Sequence, residues 1–220
     1  SSLRSFCMWL VLEGVLADNP CDKVDMPKLG KYIPDVLSVD QVSAVIGAVD
    51  SSSWMGLRDR ALLEVLYGCG MRVSEAAGLK INSLYLDEGM VRVIGKGDKE
   101  RVIPISEVAS DALTEYFEQR PLEFSCSEYV FINRYGAPLS RVSAFKAVKK
   151  YAALAGVRSN ISPHTFRHSF ATHLIENGAS VEDVKDILGH ADVSSTQIYA
   201  QIVNNRFYAN LMLTFEKKAV

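Results

Sequence analysis

The stretch MVRVIGKGDKERVIPI, residues 90–105, sets the fold class, because it is where the period of the chain changes. Apolar and polar residues alternate on both sides of GKGDKE. That pattern predicts two antiparallel strands joined by a flexible turn in which Lys96 stands between Gly95 and Gly97. Almost everywhere else apolar residues recur at intervals of three and four, the signature of helices with one buried face. The expectation is a mostly α fold with a small antiparallel β-sheet, an α+β domain, to which YVFI at residues 129–132 adds a short strand.

Working outward, SVDQVSAVIGAV opens on Ser38 with Gln41 three residues on, a capping box ahead of an amphipathic helix. A second helix covers 55–67 and closes at GCG, and RVSEAAGL reads as a short helix beginning just after Arg72. Further helices are expected at 140–154, 165–177, 181–188 with Ser180 as its cap, 195–200, and 205–215, the last strongly amphipathic. Toward the start, 3–16 has helical spacing, whereas Pro20, Pro27, Gly30 and Pro34 prevent regular structure and mark a linker. The boundaries are therefore 1–18 for a leading helix, 19–35 for the linker and 36–220 for the main domain.

A chain of 220 residues that is 48% hydrophobic can bury one good core. Its longest early apolar run, MWLVLEGVL, is interrupted by Glu13, is too short for a bilayer span and lacks a signal peptide's basic flank. A cytoplasmic protein without membrane association is expected, and one that is a piece of a longer chain, since it opens on Ser1 in the middle of an amphipathic pattern. Cys7, Cys21, Cys69 and Cys126 are scattered with no C-x-x-C pair, which predicts reduced, mostly buried thiols. The net charge of −2 conceals a strong asymmetry. Residues 129–175 hold no aspartate or glutamate, yet carry Arg134, Arg141, Lys146, Lys149, Lys150, Arg158 and Arg167 with three histidines. Such one-signed charge suits a polyanion, the alternative being a solvated basic face balanced by acidic neighbours in space.

Arg72 follows a glycine-containing helix end and precedes a helix N-terminus, where backbone N–H groups also favour an anion; Glu75 can pair with it or cap the helix. In SPHTFRHSFATHL, residues 162–174, His164 and Arg167 share one face at a helix start, a place that would fit a phosphate. His168 and His173 point elsewhere and are expected to be internal hydrogen-bonding residues. Zinc is disfavoured, because no glutamate follows His164 as in H-E-x-x-H and no carboxylate lies in the cluster. His190 stands at a glycine-marked helix end and Tyr199 nine residues later. Together Arg72, Lys96, His164, Arg167, His190 and Tyr199 can perform phosphoryl transfer without cofactor or metal: arginines neutralise transition-state charge, a tyrosine hydroxyl attacks phosphorus, and a general acid protonates the departing oxygen. No GxxxxGK[ST] loop and no post-strand G-x-G-x-x-G is present, which disfavours NTP hydrolysis and dinucleotide binding.

The motifs YGCGMRVSEAAGL, GKGDKERVIPI, SPHTFRHSFATHLIENGASVEDVKDILGH and STQIYA, in this order over most of residues 36–200, resemble the catalytic domain of tyrosine site-specific recombinases, the phage integrase family, in a Xer-like style. The resemblance implies that Tyr199 is the nucleophile and forms a 3'-phosphotyrosyl bond. It further implies that Arg72, Arg167 and His190 hold the nonbridging oxygens, that His164 assists proton transfer, that Lys96 is the general acid, and that Glu75 and His168 support them. Residues 1–18 would be the last helix of a core-binding domain. The implied partners are double-stranded DNA, tracked by Arg134, Arg141, Lys146, Lys149 and Lys150, and further protomers in a homo- or hetero-tetramer on two DNA sites, linked through 205–215, with a DNA translocase as a possible regulator. Cys69 and Met71 depart from the threonine and leucine common in the family, a change expected to concern packing only. Chromosome dimer resolution is the implied role. The alternatives are integration of a mobile element, a type IB topoisomerase, and a DNA-binding module that has lost catalysis.

Overall fold

The computed structural model describes residues 2–24, 36–95, 100–157 and 161–189. The chain divides into two units, Ser1–Ile33 and Pro34–Val220. In the first, helix α1 (Ser2–Leu12) ends sooner than its apolar spacing suggests, at Gly14, whose φ of 72° turns the chain left-handed. Pro20 does not leave its surroundings irregular: Pro20–Lys23 form a 3-10 turn capped by Asn19. Arg4 fastens that turn to α1, donating to the Cys21 carbonyl at 2.9 Å and pairing with Asp22 at 3.2 Å. Cys7 and Cys21 approach to 3.7 Å between sulfurs as free thiols. Cys7 and Cys69 are buried as expected, while Cys21 is half-buried and Cys126 is exposed.

The second unit is built around α3 (Trp54–Gly68), in which Leu57, Ala61, Leu62, Leu63, Val65 and Leu66 are all buried. Burial on nearly every side marks it as the central helix rather than a surface one. Against it pack α5 (Glu107–Gln119), α6 (Arg141–Leu154) and α7 (Pro163–Glu176), with α2 (Val39–Gly47), α4 (Val73–Ala77) and α8 (Val181–Leu188) completing the helices among the described residues. The Ser38–Gln41 capping box forms at the start of α2. Helix α7 starts two residues before the expected position, since Ser162 caps it and Pro163 occupies its first turn, where the missing N–H costs nothing. Two ties hold the helices laterally. The Tyr151 hydroxyl donates to buried Asp59 at 2.9 Å, joining α6 to α3. The Leu37 N–H donates at 2.8 Å to the Ser169 hydroxyl, which itself donates to the Thr165 carbonyl, so the chain entering α2 is fastened to α7.

The expected hairpin is present as β2 (Met90–Ile94) and β3 (Glu100–Pro104), in antiparallel register with Val91 opposite Ile103 and Val93 opposite Arg101. The third strand is β1 (Leu84–Tyr85), giving the order β1-β2-β3. YVFI does not join this sheet. Its Val130, Phe131 and Ile132 are fully buried, and its backbone bonds instead to Leu79 and Leu139. A run buried on both faces is core whichever way it pairs, so its period says nothing about its partner. Helix α5 went unanticipated although Ser106 caps it and Ala109, Ala112, Leu113 and Tyr116 give it a buried face.

Candidate active site

Among the described residues the site forms where the turn after α3, the start of α4, strand β3, the first part of α7 and the end of α8 meet. The GCGMR turn leaves α3 through Gly70, whose φ is 57° and which sits so close to Phe170 that a Cβ would lie 2.4 Å from the ring. Only glycine fits there on both counts. Arg72 then caps α4, its backbone N–H donating to Glu75 Oε2 at 2.8 Å and its guanidinium to Oε1 at 2.8 Å. Arg72 is thus turned onto the carboxylate rather than toward the open N–H groups of the helix, and its side chain remains 32% exposed.

Glu75 is buried and binds a second arginine that sequence reasoning missed. Arg101, on β3, donates to Oε1 at 3.0 Å and to Oε2 at 2.8 Å, so each carboxylate oxygen accepts two hydrogen bonds. Burial alone would raise the Glu75 carboxyl, but Arg101 and then Arg72 outweigh it and hold it below the usual carboxylate range. A sequence signal for Arg101 exists: it shares strand parity with Ile103, whose side chain is in the core, so it too faces inward.

Arg167 is likewise buried. It donates to the Gly70 carbonyl at 2.7 Å and the Leu188 carbonyl at 2.5 Å, linking α7 to the GCGMR turn and to the end of α8. Burial, reinforced by Arg72 and Arg101 and opposed by Glu75, brings its guanidinium down to about 10, which leaves it charged at neutral pH. His164, one turn earlier, is exposed, and so is His168, against the expectation of an internal residue: it follows Arg167 and so falls away from the packed face of α7. His173 is internal as expected, 2.9 Å from the Tyr67 hydroxyl through Nδ1. The structure therefore unites Arg72, Glu75, Arg101 and Arg167. Lys96, His190 and Tyr199 lie outside the described residues, as do Arg158 and the segments 195–200 and 205–215.

Cys69 and Met71 are packing residues, 1% and 0% exposed, and burial pushes the Cys69 thiol up to about 12. Arg134, Arg141, Lys146, Lys149 and Lys150 are all exposed. Lys146, Lys149 and Lys150 share one face of α6, opposite its buried Ala144, Val148 and Tyr151. Among the described residues no carboxylate comes within ion-pair distance of Arg134, Arg141 or Lys146, while Asp50 is near enough to Lys150 to feel its charge. Among the described residues no three His, Cys, Asp or Glu side chains gather as a metal set, and no helix is long and apolar enough to cross a membrane.

Residues 35–206 match the model of the phage integrase family. The chain belongs to that family. It is 42% identical over 210 residues to tyrosine recombinase XerD of Listeria innocua, covering 94% of this chain and 71% of the relative. To XerD of Staphylococcus aureus it is 44% identical over 205 residues, 92% of this chain and 70% of the relative. The crystal structure of XerA recombinase superposes with a TM-score of 0.67 at 31% identity, over 82% of this chain and 66% of that one. XerH bound to its difH substrate gives 0.65 at 26% identity, over 87% and 60%. The recombinase is thus of the Xer type within the tyrosine recombinases, enzymes that break and rejoin DNA in site-specific recombination, and its mostly helical fold with a three-stranded antiparallel sheet is that of their catalytic domains.

Proposed function

We propose that Tyr199 attacks a DNA phosphodiester, forming a 3'-phosphotyrosyl bond as the P–O5' bond breaks, with Lys96 delivering the proton that leaves a free 5'-hydroxyl. His164 assists the proton's departure from the tyrosine. Arg72, Arg167 and His190 hold the nonbridging oxygens, Glu75 orients Arg72, and His168 supports the site. The observation that carries this reading is the buried carboxylate of Glu75, which fixes Arg72 in place beside a buried and equally fixed Arg167. Two cations held in position before substrate arrives stabilise an anionic transition state without reorganisation, each supplying roughly 3 to 4 kcal/mol.

Double-stranded DNA is the substrate, lying along Arg134, Arg141, Lys146, Lys149 and Lys150. Protomers assemble as a homo- or hetero-tetramer on two DNA sites through 205–215, and residues 1–18 belong to a core-binding domain joined by the linker 19–35. The biological role is resolution of chromosome dimers in the cytoplasm, on the nucleoid, with a DNA translocase as regulator.

Covalent capture tests the reading. Full-length protein and Tyr199→Phe are expressed in source cells, denatured in detergent and purified, and any attached DNA is sequenced. Recovery of one short site with the wild type alone supports it, and the location of that site distinguishes dimer resolution from element mobility. A variant that still binds DNA, beside a wild type that yields no adduct, overturns it in favour of an inactive binder.

A further inference from the structure

Arg101 occupies a position that strand alternation reserves for a core residue. It faces inward opposite Val93 and is 7% exposed. A buried guanidinium is tolerated only when its donors are used, and here three are: two on Glu75 and the third, Nε, on the Ile187 carbonyl in the last turn of α8, at 3.0 Å. A second observation concerns Gly189, which ends α8 with a φ of 68°. A Cβ there would meet Arg101 Cδ, Nε and Nη1, each at 3.2 Å, so the end of α8 packs directly on the guanidinium end of the arginine.

We propose that Arg101 is a positioning residue for strand cleavage: it aligns Arg72 by completing the Glu75 carboxylate's hydrogen bonds, and in the same side chain it fixes the α8 end that leads into His190. This rests on the assignment of Arg72 and His190 to the scissile phosphate. One planar fork reaches both targets because its Nη atoms and Nε point in different directions within one plane. A lysine at 101 keeps the charge but cannot grip both carboxylate oxygens and the carbonyl together. Arg101 belongs to β3, which pairs with β2, so a single side chain joins the hairpin to α4, which Arg72 caps, and to the end of α8, which precedes His190 in the chain.

The test compares full-length wild type, Tyr199→Phe and Arg101→Lys on a nicked duplex of the site captured through Tyr199. Melting temperature, DNA affinity and the single-turnover rate of adduct formation are read in parallel. Arg101→Lys is expected to bind DNA within about twofold of wild type and to cleave about 100-fold more slowly, the loss typical of a displaced oxyanion donor. A second duplex carries a methylphosphonate at the scissile position, which removes the nonbridging charge that Arg72 meets. There the deficit is expected to shrink below about tenfold, a rescue that a merely weakened fold does not show. A wild-type rate for Arg101→Lys, or a deficit identical on both duplexes, overturns the positioning role. Where Arg101→Lys fails to fold, Glu75→Gln/Arg101→Met, which removes both buried charges, takes its place with the same expectations. A wild type that makes no adduct would instead count against the assignment of Tyr199, which keeps the two failures apart.

Discussion

Replacing Glu75 by glutamine tests the buried carboxylate directly. Its two oxygens accept four hydrogen bonds of 2.8 to 3.0 Å from Arg72 and Arg101. Glutamine keeps the shape, but its NH2 group must face a pair of donors, and the negative charge is gone. The Arg72 side chain, 32% exposed, can turn to water; that of Arg101, 8% exposed, cannot. Removing one member of a buried pair typically costs about 3 to 5 kcal/mol, and the retained oxygen places Glu75→Gln near the lower end, about 3 kcal/mol. At about 2 to 4 °C per kcal/mol, the melting temperature at pH 7 should fall by about 6 to 12 °C. The acid limb supplies the sign. The folded-state pKa of Glu75 is depressed, so its stabilisation is fully present above the ordinary carboxylate value near 4.5 and is lost as pH falls through the lower folded value. Urea unfolding of both proteins across pH should therefore show curves that converge in acid, where the wild-type carboxyl is neutral too. A difference below about 1 kcal/mol at pH 7, or one that does not narrow in acid, refutes the reasoning.

Further outcomes follow from other parts of the molecule. Burial raises Glu64 to about 7, so the wild type loses stability as pH climbs from 4.5 through 7; Glu64→Gln should gain up to about 3 kcal/mol on it at pH 8 and nothing at pH 4, as read by urea midpoints. Gly70→Ala should lower stability by more than the roughly 1 to 2 kcal/mol of a left-handed alanine, since its Cβ runs into Phe170, whereas Gly156→Ala, with a φ of 69° and nothing within 4 Å, should cost only the backbone part in the same thermal melts. Replacing Lys146, Lys149 and Lys150 with alanine should flatten the log–log salt dependence of DNA affinity by about 2 to 3, with the melting temperature unchanged; an unaltered slope would remove this face of α6 from the DNA path.

The hairpin and the capped helices were legible because each rests on local rules: period two beside GKGDKE, Ser38 with Gln41, and Ser162 with Pro163. What escaped depends on partners distant in the chain. Arg167 looked like a surface cation beside His164, yet its acceptors are the carbonyls of residues 70 and 188, and no spacing rule names a carbonyl. Arg101 was concealed by its type, since an arginine in a strand is ordinarily solvated; only its parity with Ile103 betrays it, and the compensating Glu75 is on another element. His168 shows the reverse error: pointing away from Arg167 suggests an internal residue, yet Arg167 is on the buried side of α7 and the helix turns His168 outward.

The bond from the Leu37 N–H to the Ser169 hydroxyl has a temporal consequence. It spans 132 residues, and the Arg167 bond to the Gly70 carbonyl spans 97, so neither can close until α7 has been synthesised. At about 5 to 20 residues per second, Leu37 waits roughly 7 to 26 s for its acceptor. For most of that interval Arg72 and Glu75 already exist on the ribosome, while Arg167 does not. The cation pair of the site is therefore completed late in synthesis, by the helix that also fastens the chain entering α2.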